Sequence, residues 1–514
     1  MFTAILRGQS EPPAAWKQSL VKVLFKKGDA TLPENYRPIT LLRMLYKVFA
    51  RILNSRIKSF LDDSQSPDQA GFRKGYGCDD NLFTVVQIIE RLAEFQLPLW
   101  VCAIDFRKAF DTVEHSAIWE ALLNQGVPAE YVVVLRSLYE AQVGTVITPV
   151  RSKEFKIERG TKQGDPMSPR IFNAVLENAF KEIQTKWRNK GWGVRLGNQA
   201  SDLLCNLRFA DDVLLFATSR RQLKLMIRDV IHATQAVGLE LHPDKTKILR
   251  MDASLSGTSP PMVVEGMRIE VLPGDGSTMY LGRLLSIKDS QDTELDFRIE
   301  RAWEKFFAHK AELCGRAFRL RDRLKLFDSV VTSTVLYGSG TWTMTLSREA
   351  KLKTTQRKML RWMIGMGRRQ ASTEGEESEE GEEQQEMEPQ EEDMDQGPSE
   401  IEDWVTYIKR ATGVAEDCLK NARLEDWVQG QRRRKWRWAG HVARRWDERW
   451  SHKVLSFSAA GGNRRVGHPV TRWRDSIGSF VSANTTYTSA QWLTPAQDRD
   501  KWHNLEDAFV QWSA

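Results

Sequence analysis

Cysteine is scarce in this sequence: five in 514 residues, at Cys78, Cys102, Cys205, Cys314 and Cys418, with no CxxC pair among them. An odd number of widely spaced thiols argues against a disulfide framework and for a reducing intracellular compartment, nucleus or cytoplasm, rather than secretion. No set of closely spaced Cys and His ligands occurs, so a structural zinc module is not expected. Long apolar runs are also missing; none approaches the ~18 residues that a membrane span requires. The start, MFTAILRGQSEPPAAWKQ, lacks the basic region and cleavage site of a secretory signal. No internal repeat is found, which argues against a solenoid.

Charge of both signs is abundant and unevenly placed. The chain is 41% hydrophobic and 28% charged, a balance that suits globular domains. Its net charge is +7, but positions 371–403 hold 16 acidic residues and no basic one, which leaves +23 for the rest. So basic a body suits a polyanionic partner, most simply nucleic acid, although a merely soluble basic protein has the same composition. The acidic stretch has almost no large apolar groups with which to offset its ordering entropy, so a disordered linker is expected over 371–403.

Before that stretch, strand and helix patterns mix. LPLWVCAID is a continuous apolar run ending at a carboxylate, Asp105, which predicts a buried strand. HSAIWEALLNQG has helical spacing and a stop at Gly126, while VGTVITP and EFKIERG predict a strand pair. Ser168 followed by Pro169 signals a helix start. In RQLKLMIRDVIHATQAVG, residues Leu223, Ile227, Val230, Ile231 and Thr234 share one helical face. After Thr293 the pattern is helical. The sum is an α+β body followed by a helical domain.

The stretch LCNLRFADDVLLFATS places Asp211 and Asp212 between two strand-like runs. Two readings stand side by side: an Asp pair suits a hairpin turn, and rigid adjacent carboxylates can bind hard divalent cations. Asp105 at a second strand end favours the cation reading, because two-metal nucleotidyl transfer needs carboxylates shared between cations ~3.5–4 Å apart.

AIDFRKAFDTVEH followed by RFADDVLLFA resembles motifs A and C of reverse transcriptases of non-LTR (LINE-like) retrotransposons. Other segments match that family in order: LVKVLFKKGDATLPENYRPITLLRMLYKVFARILNSRI, DQAGFRKGYGCDDNL, RGTKQGDPMSP, GLELHPDKTKIL, YLGRLLS and LYGSGTWTM. Together they span roughly residues 20 to 365, and chance agreement of so many ordered motifs is remote. The resemblance implies a right-hand polymerase: fingers and an antiparallel palm sheet over 1–287, a helical thumb over 288–370, the disordered acidic linker over 371–403, and a small basic helical region over 404–514.

It further implies an RNA-directed DNA polymerase with RNA template, DNA primer and dNTPs as partners and two Mg²⁺ (or Mn²⁺) per site. Asp105, Asp211 and Asp212 would be the catalytic and metal-binding carboxylates, helped by the Phe106 carbonyl. Phe110 would be the aromatic gate against a ribose 2′-hydroxyl, which speaks against an RNA-copying RNA polymerase, and Asp111 would be structural. Gln163 and Gly164 would touch nucleotide and template; Arg37 and Arg73 would meet RNA or triphosphate; Lys245 or Lys247 would protonate the pyrophosphate.

In the C-terminal region, GQRRRKWRWAGHVARRWDERWSHKVL and GGNRRVGHPVTRWRDSIGSF interleave Trp with Arg. Such residues can stack on unpaired bases and neutralise phosphate, which nominates Arg434, Trp436, Arg437 and Trp438 as nucleic-acid contacts. A helical domain with Trp in its core and a basic face is the alternative. The W-x-GH pattern resembles the tail of some non-LTR elements, and RRRK could serve as a nuclear localisation signal. No endonuclease and no CCHC knuckle are recognisable, and the chain begins inside the fingers motif, so a truncated copy is expected. A catalytically silent nucleic-acid-binding remnant is the rival function.

Overall fold

The computed structural model describes residues 1–149, 151–197, 199–251, 259–369, 401–457, 464 and 470–512. Of the linker expected over 371–403, positions 371–400 lie outside the described residues, as do 461–463 and 465–469. The last three positions of that linker are described, and Asp403 caps the helix Trp404–Asn421 by accepting from Val405 N at 2.8 Å and Thr406 N at 3.1 Å. The chain divides into two compact units. One comprises 1–294, 341–343 and 438–503; the other comprises 295–340, 344–437 and 504–514.

The first unit is built on a six-stranded sheet in the order Met262–Val264, Met267–Val271, Lys247–Met251, Leu99–Ile104, Asp212–Ala217, Asn206–Phe209. Every pairing is antiparallel except that of Lys247–Met251 with Met267–Val271. The apolar run before Asp105 forms a central strand of this sheet, and nearly all of it is buried. That explains why it shows no alternation: both faces are covered. On one face lies the helix Arg220–Gln235, with Leu223, Met226, Ile227, Val230, Ile231 and Thr234 buried. This helix also packs on Ser168–Asn189, which begins at Ser168 itself, one residue before its proline.

A second sheet carries the fingers-like segment. Its order is Tyr36–Leu41, Gln18–Phe25, Val143–Ile147, Phe155–Lys156. The strand pair expected from VGTVITP and EFKIERG is its far edge. A small hairpin, Ser277–Tyr280 with Arg283–Ser286, turns through Leu281 and Gly282, both at positive φ.

The second unit is helical. Leu320–Phe327, Leu346–Ile364 and Trp404–Asn421 are its main complete helices, and it takes most of Ser290–Ala308 and Trp427–Ala443. Within it Trp427 stacks on Phe327 with centroids 5.9 Å apart and donates from Nε1 to Thr332 Oγ1 at 2.9 Å. Arg357 bridges Glu416 at 2.7 Å and Asp426 at 2.8 Å.

Within 404–514, residues 438–503 belong to the first unit, while 404–437 and 504–514 belong to the second. Several aromatic residues of this region are buried, in two separate cores. Trp436 stacks on Phe509 in one, and Trp473 lies 4.6 Å from Phe83 in the other. Composition registers many tryptophans but not which core each one fills.

Candidate active site

The ladder between Leu99–Ile104 and Asp212–Ala217 pairs Ile104 with Val213, so one step further Asp105 comes level with Asp212. The hairpin Asn206–Phe209 to Asp212–Ala217 closes on the pair Phe209–Asp212, leaving Ala210 and Asp211 at its tip. Ala210 adopts φ 56°, the left-handed conformation that such a tight turn demands. Asp105 is fixed through its backbone: its N–H donates to Thr246 Oγ1 at 3.3 Å and its carbonyl accepts from His242 N at 2.8 Å.

Three carboxylates thus share the end of one sheet. Asp212 keeps an open surface, yet the protein around it removes solvating water, and Asp211 and Asp105 add like charge. Together they push its carboxyl up to about 7. Asp211 is raised too, by burial first and then by Asp105, while Lys26 and Arg37 act in the opposite direction. Among the described residues no three His, Cys, Asp or Glu side chains close into a ready cation cage. The donor set nonetheless fits a hard divalent cation: it is all oxygen, and its negative charges repel one another.

Basic groups approach the same carboxylates. Lys245 Nζ stands 3.9 Å from Asp105 Oδ1, whereas Lys247 Nζ is taken by Glu270 at 2.6 Å. Of the two lysines weighed from sequence, geometry therefore favours Lys245. Arg37 lies within electrostatic reach of Asp211. Lys26 was not singled out from sequence. Its ammonium is lowered by burial and by the neighbouring charges of Arg37, Lys245 and Lys27, and Asp105 opposes this. Its place follows from the strand register: Leu24 pairs with Arg37, so Lys26, two residues further along the same face, lies diagonal to Arg37.

The remaining candidates have defined places. Phe106 is buried, and its backbone bridges Leu241. Phe110 stacks on Phe172 at 4.5 Å and meets Phe72 edge-on at 6.1 Å. Gln163 donates from Nε2 to Asp111 Oδ1 at 3.2 Å, and its carbonyl accepts from Thr40 N at 2.7 Å. Gly164, at φ 111°, lies so close to the second sheet that a Cβ there would come 2.8 Å from the Thr40 carbonyl oxygen. Arg73 turns inward, donating to the carbonyls of Ser66 at 2.8 Å and Gln69 at 3.0 Å; it ties its own loop together.

The Trp–Arg group of 434–438 does not form the stacking surface expected of it. Trp436 is fully buried against Phe509, so no base can reach its ring. Arg437 is held by Glu506 at 2.7 Å, and Trp438 is half-buried against Phe83 and His441. Arg434 is exposed and bonded to the Gly430 carbonyl at 3.2 Å.

Paired carboxylates at a strand end and a hairpin tip, faced by lysine and arginine, make a site suited to polyphosphate chemistry. The family described as Reverse transcriptase (RNA-dependent DNA polymerase) matches residues 25–285, and the chain belongs to that family. A Pol polyprotein from the type-2 retrotransposable element R2DM of Drosophila melanogaster is 31% identical over 43% of this chain and 20% of its own length. One from a type-1 R2 element of Popillia japonica is 28% identical over 65% of this chain and 45% of its own. The chain thus spans a fifth to just under half the length of these two relatives. Among solved structures, Candida albicans telomerase in complex with a telomeric RNA fragment aligns at 10% identity and TM-score 0.39, over 69% of this chain and 66% of that one. No helix among the described residues is long and apolar enough to cross a membrane.

Proposed function

We propose that this chain is a retrotransposon-derived RNA-directed DNA polymerase that extends a DNA primer on an RNA template with dNTPs. The observation that carries this reading is the meeting of Asp105, Asp211 and Asp212 with Lys26, Arg37 and Lys245 inside the stretch that matches the family. Reverse transcriptases use divalent cations; here the three carboxylates and the Phe106 carbonyl would hold two Mg²⁺, with Mn²⁺ as a substitute. Bound there, the cations would acidify the primer 3′-hydroxyl and neutralise charge developing on the phosphates.

This chain's own groups supply the rest. Lys26 and Arg37 hold the triphosphate, the guanidinium by forked hydrogen bonds and the ammonium as a point charge. Lys245 Nζ gives a proton to the departing pyrophosphate oxygen. The Phe110 ring lies beneath the deoxyribose, and Gln163 with Gly164 borders the nucleotide.

Primer extension on an RNA template with Mg²⁺ and dNTPs tests the proposal. Asp211→Asn keeps the side-chain shape and removes the charge, so it should abolish most extension while RNA affinity stays near wild type. Near-wild-type extension by this variant would overturn the site. Wild type that binds RNA and extends nothing would make the chain a silent nucleic-acid-binding remnant.

A further inference from the structure

A buried glutamine holds the turn that carries the catalytic pair. Gln69 is 0% exposed, and its carboxamide bonds both the hairpin tip and its own loop. Its Oε1 accepts from Ala210 N at 2.9 Å and from Gly71 N at 2.8 Å; its Nε2 donates to the Ala210 carbonyl at 3.3 Å. Ala210 is the left-handed residue immediately before Asp211, a conformation that costs an alanine free energy unless its surroundings impose it. The backbone around Gln69 reinforces the grip. Asp68 O accepts from Arg208 N at 2.7 Å, and Ala70 N donates to Arg208 O at 2.9 Å, so the loop runs as a short extra strand beside the hairpin. Gly71 permits the approach: a Cβ there would meet Ala210 N at 2.2 Å.

The same loop is clamped from behind by residues 438–503, which the polymerase motifs do not include. Trp450 Nε1 donates to Asp68 Oδ1 at 2.6 Å, while Asp68 Oδ2 takes Ser66 Oγ at 2.7 Å and Gln184 Nε2 at 3.0 Å. Arg449 donates to the Gly75 carbonyl at 2.7 Å and lays its guanidinium 3.7 Å from the Tyr76 ring centroid. Ser451 Oγ donates to Asp80 Oδ1 at 2.6 Å. Trp450, Ser451, Asp68 and Asp80 are all buried, where each such bond is costly to lose.

We propose that Gln69 is a positioning residue for Asp211 and Asp212, and that Trp450 is the far anchor of the strut, holding Asp68 and thereby the loop that presents Gln69. The C-terminal segment is on this view a structural part of the polymerase site. The inference rests on the function proposed above, since it concerns how that site is held.

Full-length Gln69→Leu keeps the size and removes every hydrogen bond of the carboxamide. Loss of a group that orients ligands typically costs about 10–100-fold in activity, and that fall is expected in kcat, with KM for dNTP and RNA affinity unchanged. Hydrogen exchange at the Ala210 amide should accelerate in parallel, a change that a distant packing defect would not single out. Trp450→Phe keeps an aromatic ring at this buried position while removing the donor together with the five-membered ring that carries it; a smaller fall in kcat and faster Ala210 exchange are expected. Wild-type kcat in Gln69→Leu would overturn the proposal. Should that variant fail to fold, Trp450→Phe decides alone, and wild-type kcat with normal Ala210 exchange overturns it. Asp211→Asn serves as control: if it is active, the function itself fails; if it is inactive while Gln69→Leu is normal, only the strut fails.

Discussion

Phe110, proposed above as the sugar gate, stacks on Phe172 with 21° between planes and meets Phe72 edge-on. A gate of this kind works by steric exclusion, and its removal should change selectivity more than fold. Phe110→Val is expected to admit ribonucleotides while dNTP extension falls only moderately. The measurement is kcat/KM for dNTP and rNTP in both enzymes, because discrimination is a difference in transition-state binding. Equal discrimination by wild type and variant would return Phe110 to the status of a core aromatic. Lys245 and Lys247 make the complementary point about single residues. Two lysines two positions apart look equivalent in sequence, and only the fold sends one to Asp105 and the other to Glu270.

The RGTKQGDPMSP loop is steadied from within by buried groups. Lys162 is buried; its Nζ makes no hydrogen bond and lies 4.9 Å from the Tyr46 ring centroid. Tyr46 in turn donates its hydroxyl to Asp165, whose charge partly compensates the ammonium. Burial lowers Lys162 from 10.5 to about 8. The sign follows from proton counting: between about 8 and 10.5 the unfolded chain holds a proton that the folded one has released. This group's contribution to stability is therefore full above that window and lost as pH falls to about 8. Lys162→Met should flatten the rise in stability across this interval. Thermal melts of wild type and variant at several pH values between 8 and 10 test this, and parallel pH dependences would show that Lys162 is not the buried group described.

Across the whole molecule, what could be read from sequence was local. Asp105 was legible because it ends an apolar run, and Asp211 and Asp212 because two such runs flank them; both patterns lie within a few residues. Lys26 needed the pairing register of two strands, and the Gln69–Ala210 contact joins residues 141 positions apart, beyond any periodicity. The Trp–Arg segment failed for another reason. A helix rich in both residue types can turn either inward, and composition suits a basic surface and an aromatic core equally well. The fold makes the choice: Trp436 is 0% exposed, whereas Trp446, ten positions on, is 82% exposed. Truncating a buried tryptophan leaves a cavity and typically costs about 3–5 kcal/mol, while an exposed one away from contacts costs about 0.5 kcal/mol or less. Trp436→Ala should therefore lower the denaturation midpoint strongly, and Trp446→Ala should leave it nearly unchanged. Chemical denaturation of the full chain, followed by circular dichroism, separates the two. A Trp436→Ala variant with wild-type stability and weakened RNA binding would restore the stacking role that its burial now denies it.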